Sequence, residues 1–159
     1  MKRTLTIDID APAARVWDIL AHQYCDVAAW TDAVQKSWEM DASLVPPNVV
    51  VAPEAPVAGR MVVTPLGQLA EVLIEYSEYE RTFTFLALGV PGIITRSTDT
   101  TYVVETDTGC RVELHIEMVF KGPFKLLDPV LKRRIGNVLN PFLADLKRHA
   151  EGTARTEVA

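Results

Sequence analysis

The sequence predicts an α+β domain in which one curved antiparallel sheet wraps around a long C-terminal helix, with two short helices after the first strand. Three observations predict it. Strand-like segments follow one another with short turn signals between them, helical periodicity is confined to the two ends of that series, and the last helical segment carries a broad apolar stripe. The order is strand, two helices, six strands and one long helix, within 159 residues. That length suits a single domain with one good core.

Residues 4–10 alternate apolar and polar with period two, the pattern of a strand with one buried face. Ala11-Pro12 ends that strand, and Ala13, Val16, Trp17 and Leu20 recur at helical spacing through about Gln23. Asp26 can cap a second short helix reaching Trp30, after which Val34, Trp38 and Met40 fall on one face of a second strand. Residues 43–59 hold Pro46, Pro47, Pro53 and Pro56 around Val49-Val50-Val51. Proline cannot donate to a sheet ladder, so this segment is a loop or an edge piece, either a passive surface loop or a lid. Strands follow at 60–64, 68–76 and 81–88, then a hairpin at 94–121.

Asp128-Pro129 reads as an N-cap with a first-turn proline. Val130, Leu131, Ile135, Val138, Leu139, Phe142, Leu143 and Leu146 then form the apolar stripe. Pro141 inside this helix removes one backbone hydrogen bond, and a kink is expected there, close to Gly136. The domain is expected to span residues 1–152, with 153–159 a polar, frayed tail.

Composition excludes several classes of function. The net charge of -5 argues against nucleic acid, which needs clustered cations for counterion release. The one basic cluster, Lys132-Arg133-Arg134, reads as a solvated helix face. No segment approaches the roughly 20 apolar residues of a membrane span, and no signal-peptide stretch follows Met1-Lys2-Arg3, so a cytoplasmic protein that is not an integral membrane protein is expected. Cys25 and Cys110 are the only cysteines, form no CxxC and suit reduced, packed thiols. No metal cluster, nucleotide-binding glycine loop or serine nucleophile elbow stands out, and no metal or cofactor is predicted.

The final hairpin bears on the interior. Its turn, Thr106-Asp107-Thr108-Gly109, matches a type I turn closed by a glycine bulge. That register sets Thr106 opposite Cys110, Val104 opposite Val112, Tyr102 opposite Leu114, Thr100 opposite Ile116, Thr98 opposite Met118 and Arg96 opposite Phe120. Opposite residues share a face, so Arg96, Thr98, Thr100 and Tyr102 go inward with Leu114, Ile116 and Met118, while Asp99, Glu113, His115 and Glu117 face solvent. A polar row inside calls for water or a ligand's oxygen atoms, because each unpaired buried polar group costs about 1–3 kcal/mol. Alternatively Arg96 snorkels to solvent at the strand end, or the register slips by one residue and Asp99 and Thr101 come inward instead.

The remaining lining is apolar: Trp30, Trp38, Val72, Ile74, Tyr76, Phe83 and Phe85, with Val138 and Phe142 from the underside of the last helix. Ligand sites are mostly apolar with a few placed polar groups, so these residues outline a small-molecule site. Each of them also suits ordinary core packing. No catalytic residue is assigned. His22, His115 and His149 read as solvated or structural, and Tyr76 and Tyr102 remain as acids without an evident activating partner.

The chain resembles the helix-grip superfamily, which includes birch-pollen-allergen-like proteins, START domains, polyketide cyclases and dehydratases, and coenzyme-Q-binding proteins. The resemblance rests on Ile7-Asp8-Ile9-Asp10-Ala11-Pro12 leading into Val16-Trp17-Asp18-Ile19-Leu20, on Trp30, on Thr108-Gly109-Cys110-Arg111-Val112, and on Leu146-Lys147-Arg148-His149-Ala150-Glu151. It implies a seven-stranded sheet gripping the last helix around a hydrophobic tunnel, and a lipid, polyketide, sterol, hormone or quinone as ligand. It transfers no catalytic residue. The Pro-rich segment and the two helix prolines depart from a plain member of the superfamily, at the pocket mouth rather than in the fold.

Binding or carriage of an apolar small molecule, by a monomer or homodimer, is therefore the leading expectation. A cyclase, dehydratase or aromatase is the second reading. A cochaperone-like interaction module, with Val49-Val50-Val51 as its surface, is the third.

Overall fold

The computed structural model describes residues 1–65 and 67–152; the expected tail at 153–159 lies outside the described residues. One seven-stranded antiparallel sheet runs in the order β1-β7-β6-β5-β4-β3-β2. Its strands are β1 (Lys2–Ile9), β2 (Lys36–Glu39), β3 (Gly59–Thr64), β4 (Gly67–Ser77), β5 (Thr82–Leu88), β6 (Ile94–Glu105) and β7 (Cys110–Phe120). Every strand after β1 lies beside its neighbour in sequence, and β1 returns to pair with β7. This is the helix-grip arrangement.

Helix α1 (Ala13–Trp17) buries Ala13, Val16 and Trp17 and runs into a π-helical turn at Asp18–His22. The expected second helix is a 3-10 turn, Tyr24–Ala29, ending at Trp30. Helix α2 (Asp128–Glu151) runs as one helix through Pro141. Its N-cap is Leu127 rather than Asp128. Asp128 lies in the first turn, where its carboxylate approaches the N-terminal ammonium at 3.5 Å and Lys132 at 3.4 Å. A 3-10 turn over Gly122–Leu127 precedes α2 where the sequence shows no helical period.

The main core lies between α2, the α1 segment and the inner face of the sheet. Leu5 and Ile9 of β1, Leu73, Phe83, Val103, Cys110, Val112, Leu114 and Ile116 meet Leu143, Leu146 and Ala150 of α2 there. A smaller cluster occupies the outer face, where Met40, Ala70 and Val72 are covered by Val45, Val49, Val51, Met61, Ile74 and Leu88. The Pro-rich segment supplies three of those covers. It is tied to β4 by Ala52 N–H to Leu73 O and Leu73 N–H to Ala58 O, both 2.9 Å, while Ala55 and Val57 reach the main core.

The β6–β7 register differs from the expected one by a single residue. Glu105 pairs with Cys110, Val103 with Val112, Thr101 with Leu114, Asp99 with Ile116 and Ser97 with Met118. The turn between the strands has four residues, closed by Thr106 N–H to Gly109 O at 3.1 Å, and Gly109 does not take the left-handed conformation that a glycine bulge needs. Glycine is required there for another reason. A Cβ on Gly109 would stand 2.2 Å from the Ile9 carbonyl oxygen, so the chain can pass the end of β1 there only with a residue lacking a side chain. The shift moves every side chain of β6 from Arg96 to Glu105 to the opposite face. Arg96, Thr98, Thr100 and Tyr102 lie on the outer face, Arg96 against Val119 past a local irregularity; Ser97, Asp99, Thr101 and Val103 are buried inside.

Candidate functional site

The inner face is readable as rows across the sheet, because directly paired residues share a face. One row runs Arg3, Ile116, Asp99, Phe85 and Leu73 over β1, β7, β6, β5 and β4. The next runs Leu5, Leu114, Thr101, Phe83 and Tyr76. The second is apolar apart from Thr101 and the Tyr76 hydroxyl. The first carries a cation and a carboxyl with Ile116 between them.

Both of those charged groups lack partners. Arg3 Nε and Asp99 Oδ1 are buried and have no hydrogen-bond partner among the described residues. The Arg3 guanidinium lies under Gly136 of α2, where a Cβ would be 3.2 Å from Nη2; the buried glycine leaves room for the cation. Two strand spacings separate Arg3 from Asp99, roughly 10 Å between backbones. Trp30 Nε1 is a third buried group without a partner, on a ring that packs against Phe142 at 5.1 Å and stacks on His149 at 6.0 Å.

Beyond Asp99 lies a satisfied ion pair. Arg60 of β3 donates from Nε to Glu71 of β4 at 2.6 Å and from Nη1 to the Tyr24 carbonyl at 2.7 Å, with its guanidinium 4.0 Å over the Tyr24 ring. Burial pushes the Asp99 carboxyl up to about 7; the Glu71 carboxylate pushes it the same way and Arg60 opposes. Near neutrality Asp99 therefore exists in both forms, and below that it is a neutral acid that can donate a hydrogen bond.

Hydrogen bonds close the interior at the C-terminal half of α2. Asp145 of α2 is buried and accepts from Thr31 Oγ1 at 2.8 Å and from Asp32 N–H at 3.3 Å, and Arg148 adds an ion pair. Those bonds fasten the C-terminal half of α2 to the segment after Trp30. Val138 lies two turns earlier on the same side of α2 and is 50% exposed. Near the start of α2 a cavity of about 280 Å³ is lined by Met1, Met118, Val119, Phe120, Lys125 and Asp128, among others. Met1 and Lys2 in that lining immediately precede Arg3 in β1.

Of the residues expected to line a site, Trp30, Tyr76, Phe83, Phe85, Leu114, Ile116, Met118 and Phe142 belong to the main core or pack against it. Val72 and Ile74 belong to the outer cluster, because a bulge between Leu73 and Glu75 shifts the parity of β4. Trp38 pairs with Met61, also of the outer cluster, and is exposed. Arg96, Thr98, Thr100 and Tyr102 are outside for the register reason given above; Thr100 bonds Thr84 at 2.9 Å and Tyr102 packs edge-on against His115.

A second polar group sits on the surface, where His22 bridges Asp18 at 2.8 Å and Glu78 at 2.7 Å, and Tyr76 donates to Glu78 at 2.6 Å. His22 and Glu78 border a cleft of about 610 Å³ with Trp17, Tyr79 and Arg81. The hydrogen bond to Asp18, helped by Glu78, raises the His22 pKa and favours the imidazolium. Both ring nitrogens and both Glu78 oxygens are engaged, so the group is a clip between the π turn and β4. Burial, with the Glu78 bond, pushes the Tyr76 hydroxyl upward, away from proton transfer near neutrality. Among the described residues no cluster of histidine, cysteine and carboxylate side chains could hold a metal ion. No described helix is long and apolar enough to cross a membrane.

The sequence family described as polyketide cyclase / dehydrase and lipid transport matches residues 2–151. The chain belongs to this family. Solved structures share the fold at low identity. A protein from Nitrosospira multiformis is 18% identical with a TM-score of 0.73, over 98% of this chain and 99% of that one. A START superfamily protein from Mycobacterium smegmatis is 13% identical with a TM-score of 0.69, over 96% and 98%. Ara h 8.0201 is 12% identical with a TM-score of 0.70, over 94% and 97%. No curated protein sequence matches the chain. The family therefore carries the helix-grip fold and the polyketide cyclase or lipid transport character, and leaves the ligand to the site itself.

Proposed function

We propose that this member of the polyketide cyclase / dehydrase and lipid transport family binds an apolar small molecule between α2 and the inner face of the sheet, with oxygen functions directed to Arg3 and Asp99. One observation carries the reading: the row Arg3, Ile116, Asp99 presents two buried polar groups without protein partners, separated by an apolar side chain. A buried donor or acceptor left unpaired costs about 1–3 kcal/mol, more when charged, and a ligand oxygen recovers that cost. Flanking Trp30, Tyr76, Phe85, Ile135, Leu139 and Phe142 are only partly buried although they pack on the core, which suits an apolar body. Cytoplasmic residence remains part of the proposal and rests on the unpaired cysteines Cys25 and Cys110.

The Asp99 carboxyl, titrating near 7 in an apolar interior, also favours the enzymatic reading within the family. A group of that pKa can protonate a carbonyl or an enolate and take the proton back at neutral pH. Carriage needs only the hydrogen bond, so binding is the broader conclusion and catalysis its special case.

The test uses two dyes of similar shape, anionic anilinonaphthalene sulfonate and neutral N-phenylnaphthylamine, titrated into wild type and Arg3→Met. A charge-assisted hydrogen bond is worth about 1.5–3 kcal/mol, so the sulfonate should bind roughly ten- to a hundredfold more weakly to the variant. Binding of the neutral dye should be unchanged. Equal effects on both dyes would remove Arg3 from the site.

A further inference from the structure

The segment that joins β7 to α2 combines exposed apolar side chains with a concentration of cations, and the core packing described above uses neither. Leu126 is 84% exposed, Val130 56%, Leu127 43% and Phe124 39%. They lie in the 3-10 turn Gly122–Leu127 and the first turn of α2, and the main neighbours of the 3-10 turn are α2 and β7. Four large apolar groups in seven residues, all solvent-facing, form a patch of the kind that marks an interaction surface.

The cations distinguish the partner. Lys121, Lys125, Lys132, Arg133 and Arg134 fall in the same stretch with one carboxylate, Asp128, giving residues 121–134 a net charge of +4 in a chain whose total is -5. Of the five, Lys132 makes the ion pair to Asp128 at 3.4 Å, and none of the others has an ion pair among those found in the described residues. Beside this segment lies an uncharged loop, residues 89–93, held to it by Lys121 N–H to Ile93 O at 2.9 Å. An apolar tip ringed by cations has the chemistry of an interfacial membrane anchor, in which the apolar groups enter the acyl boundary and the cations meet anionic headgroups. The cavity lined by Met1, Met118, Phe120 and Lys125 opens at the same place.

We infer that residues 121–134 dock this protein reversibly onto an anionic lipid surface, with Leu126 as the deepest contact. The inference is independent of Arg3 and Asp99. Docking there sets the cavity at the start of α2 against the bilayer, where an apolar ligand can pass without crossing water.

The test is co-sedimentation of the full chain with vesicles of phosphatidylcholine and phosphatidylglycerol, beside vesicles of phosphatidylcholine alone. Binding is expected on the anionic vesicles, weakened by salt as surface charges are screened. Leu126→Glu removes an exposed side chain and should leave thermal unfolding as in wild type while lowering the partition constant about tenfold or more. The triple variant K132E/R133E/R134E should lose binding to a similar degree, at unchanged fold. Absence of sedimentation with anionic vesicles, or equal binding of wild type and Leu126→Glu, would overturn the inference. So would a dimer in solution that Leu126→Glu dissociates without any vesicle binding, which would assign the patch to a second copy of the chain.

Discussion

Arg60→Met should destabilise the protein by about 3–5 kcal/mol, because it strands the Glu71 carboxylate in the interior without its partner. Glu71 and Arg60 face each other across β3 and β4 at 2.6 Å, and both side chains are almost removed from solvent. Arg60 also caps the Tyr24 carbonyl, so a second buried acceptor is orphaned with the first. Asp99 loses the only cation that opposes the upward shift of its pKa. For a chain of this length the midpoint of thermal unfolding should fall by roughly 10 °C or more. Replacing both members, as R60M/E71L, should recover much of the loss, since a well-packed apolar pair avoids the desolvation that the ion pair must offset. Calorimetry on the two variants checks this; a fall of less than about 1 kcal/mol for Arg60→Met would mean that water reaches Glu71 freely.

Asp99→Asn should change how stability depends on pH. The folded-state pKa of Asp99 is raised to about 7 from an ordinary 3.8, so between those values the folded chain holds a proton that the unfolded chain releases. Where the folded state binds more protons, stability falls as pH rises, and for a shift of this size the fall is of the order of 4 kcal/mol between about pH 4 and pH 7. Above pH 7 the contribution is constant. Asparagine does not titrate, so the variant should gain on wild type across that window and keep the gain at higher pH. Urea unfolding of both proteins at pH 5 and pH 8 reads the difference directly. Parallel pH profiles would mean that Asp99 is solvated or paired in solution.

The elements were legible in the sequence because each rests on a local period. The alternation in residues 4–10, the proline at Pro12 and the α2 stripe from Val130 to Leu146 each correspond to an element found where the pattern placed it. The polar interior was harder to read, for two reasons that concern backbone geometry. A four-residue turn at 106–109 and a three-residue turn with a bulge use the same residue types, and Gly109 serves a contact with Ile9 that is remote in sequence. The bulge after Leu73 reverses parity in β4 in the same way, moving Ile74 outward while Tyr76 stays inside.

Arg60 and Glu71 carry no sequence signal of burial, since charged residues beside a strand's apolar positions normally face water. Arg3 did have one. The alternation of Leu5, Ile7 and Ile9 extends back by one step to Arg3, and that parity alone sets the side chain inside. An arginine at the start of a strand is easily read as a solvated terminus instead. The interior polar residues thus come from β1, β3, β4 and β6, and only the cross-strand pairing brings them to one face.

Native mass spectrometry of the freshly purified protein beside the denatured chain tests the interior site most directly. A discrete small mass that is present at one per chain and lost on unfolding is the predicted result, with Arg3→Met and Asp99→Asn each lowering its occupancy. A wild-type chain that carries no such mass, and that also fails to bind either naphthalene dye, would contradict a small-molecule site between α2 and the sheet.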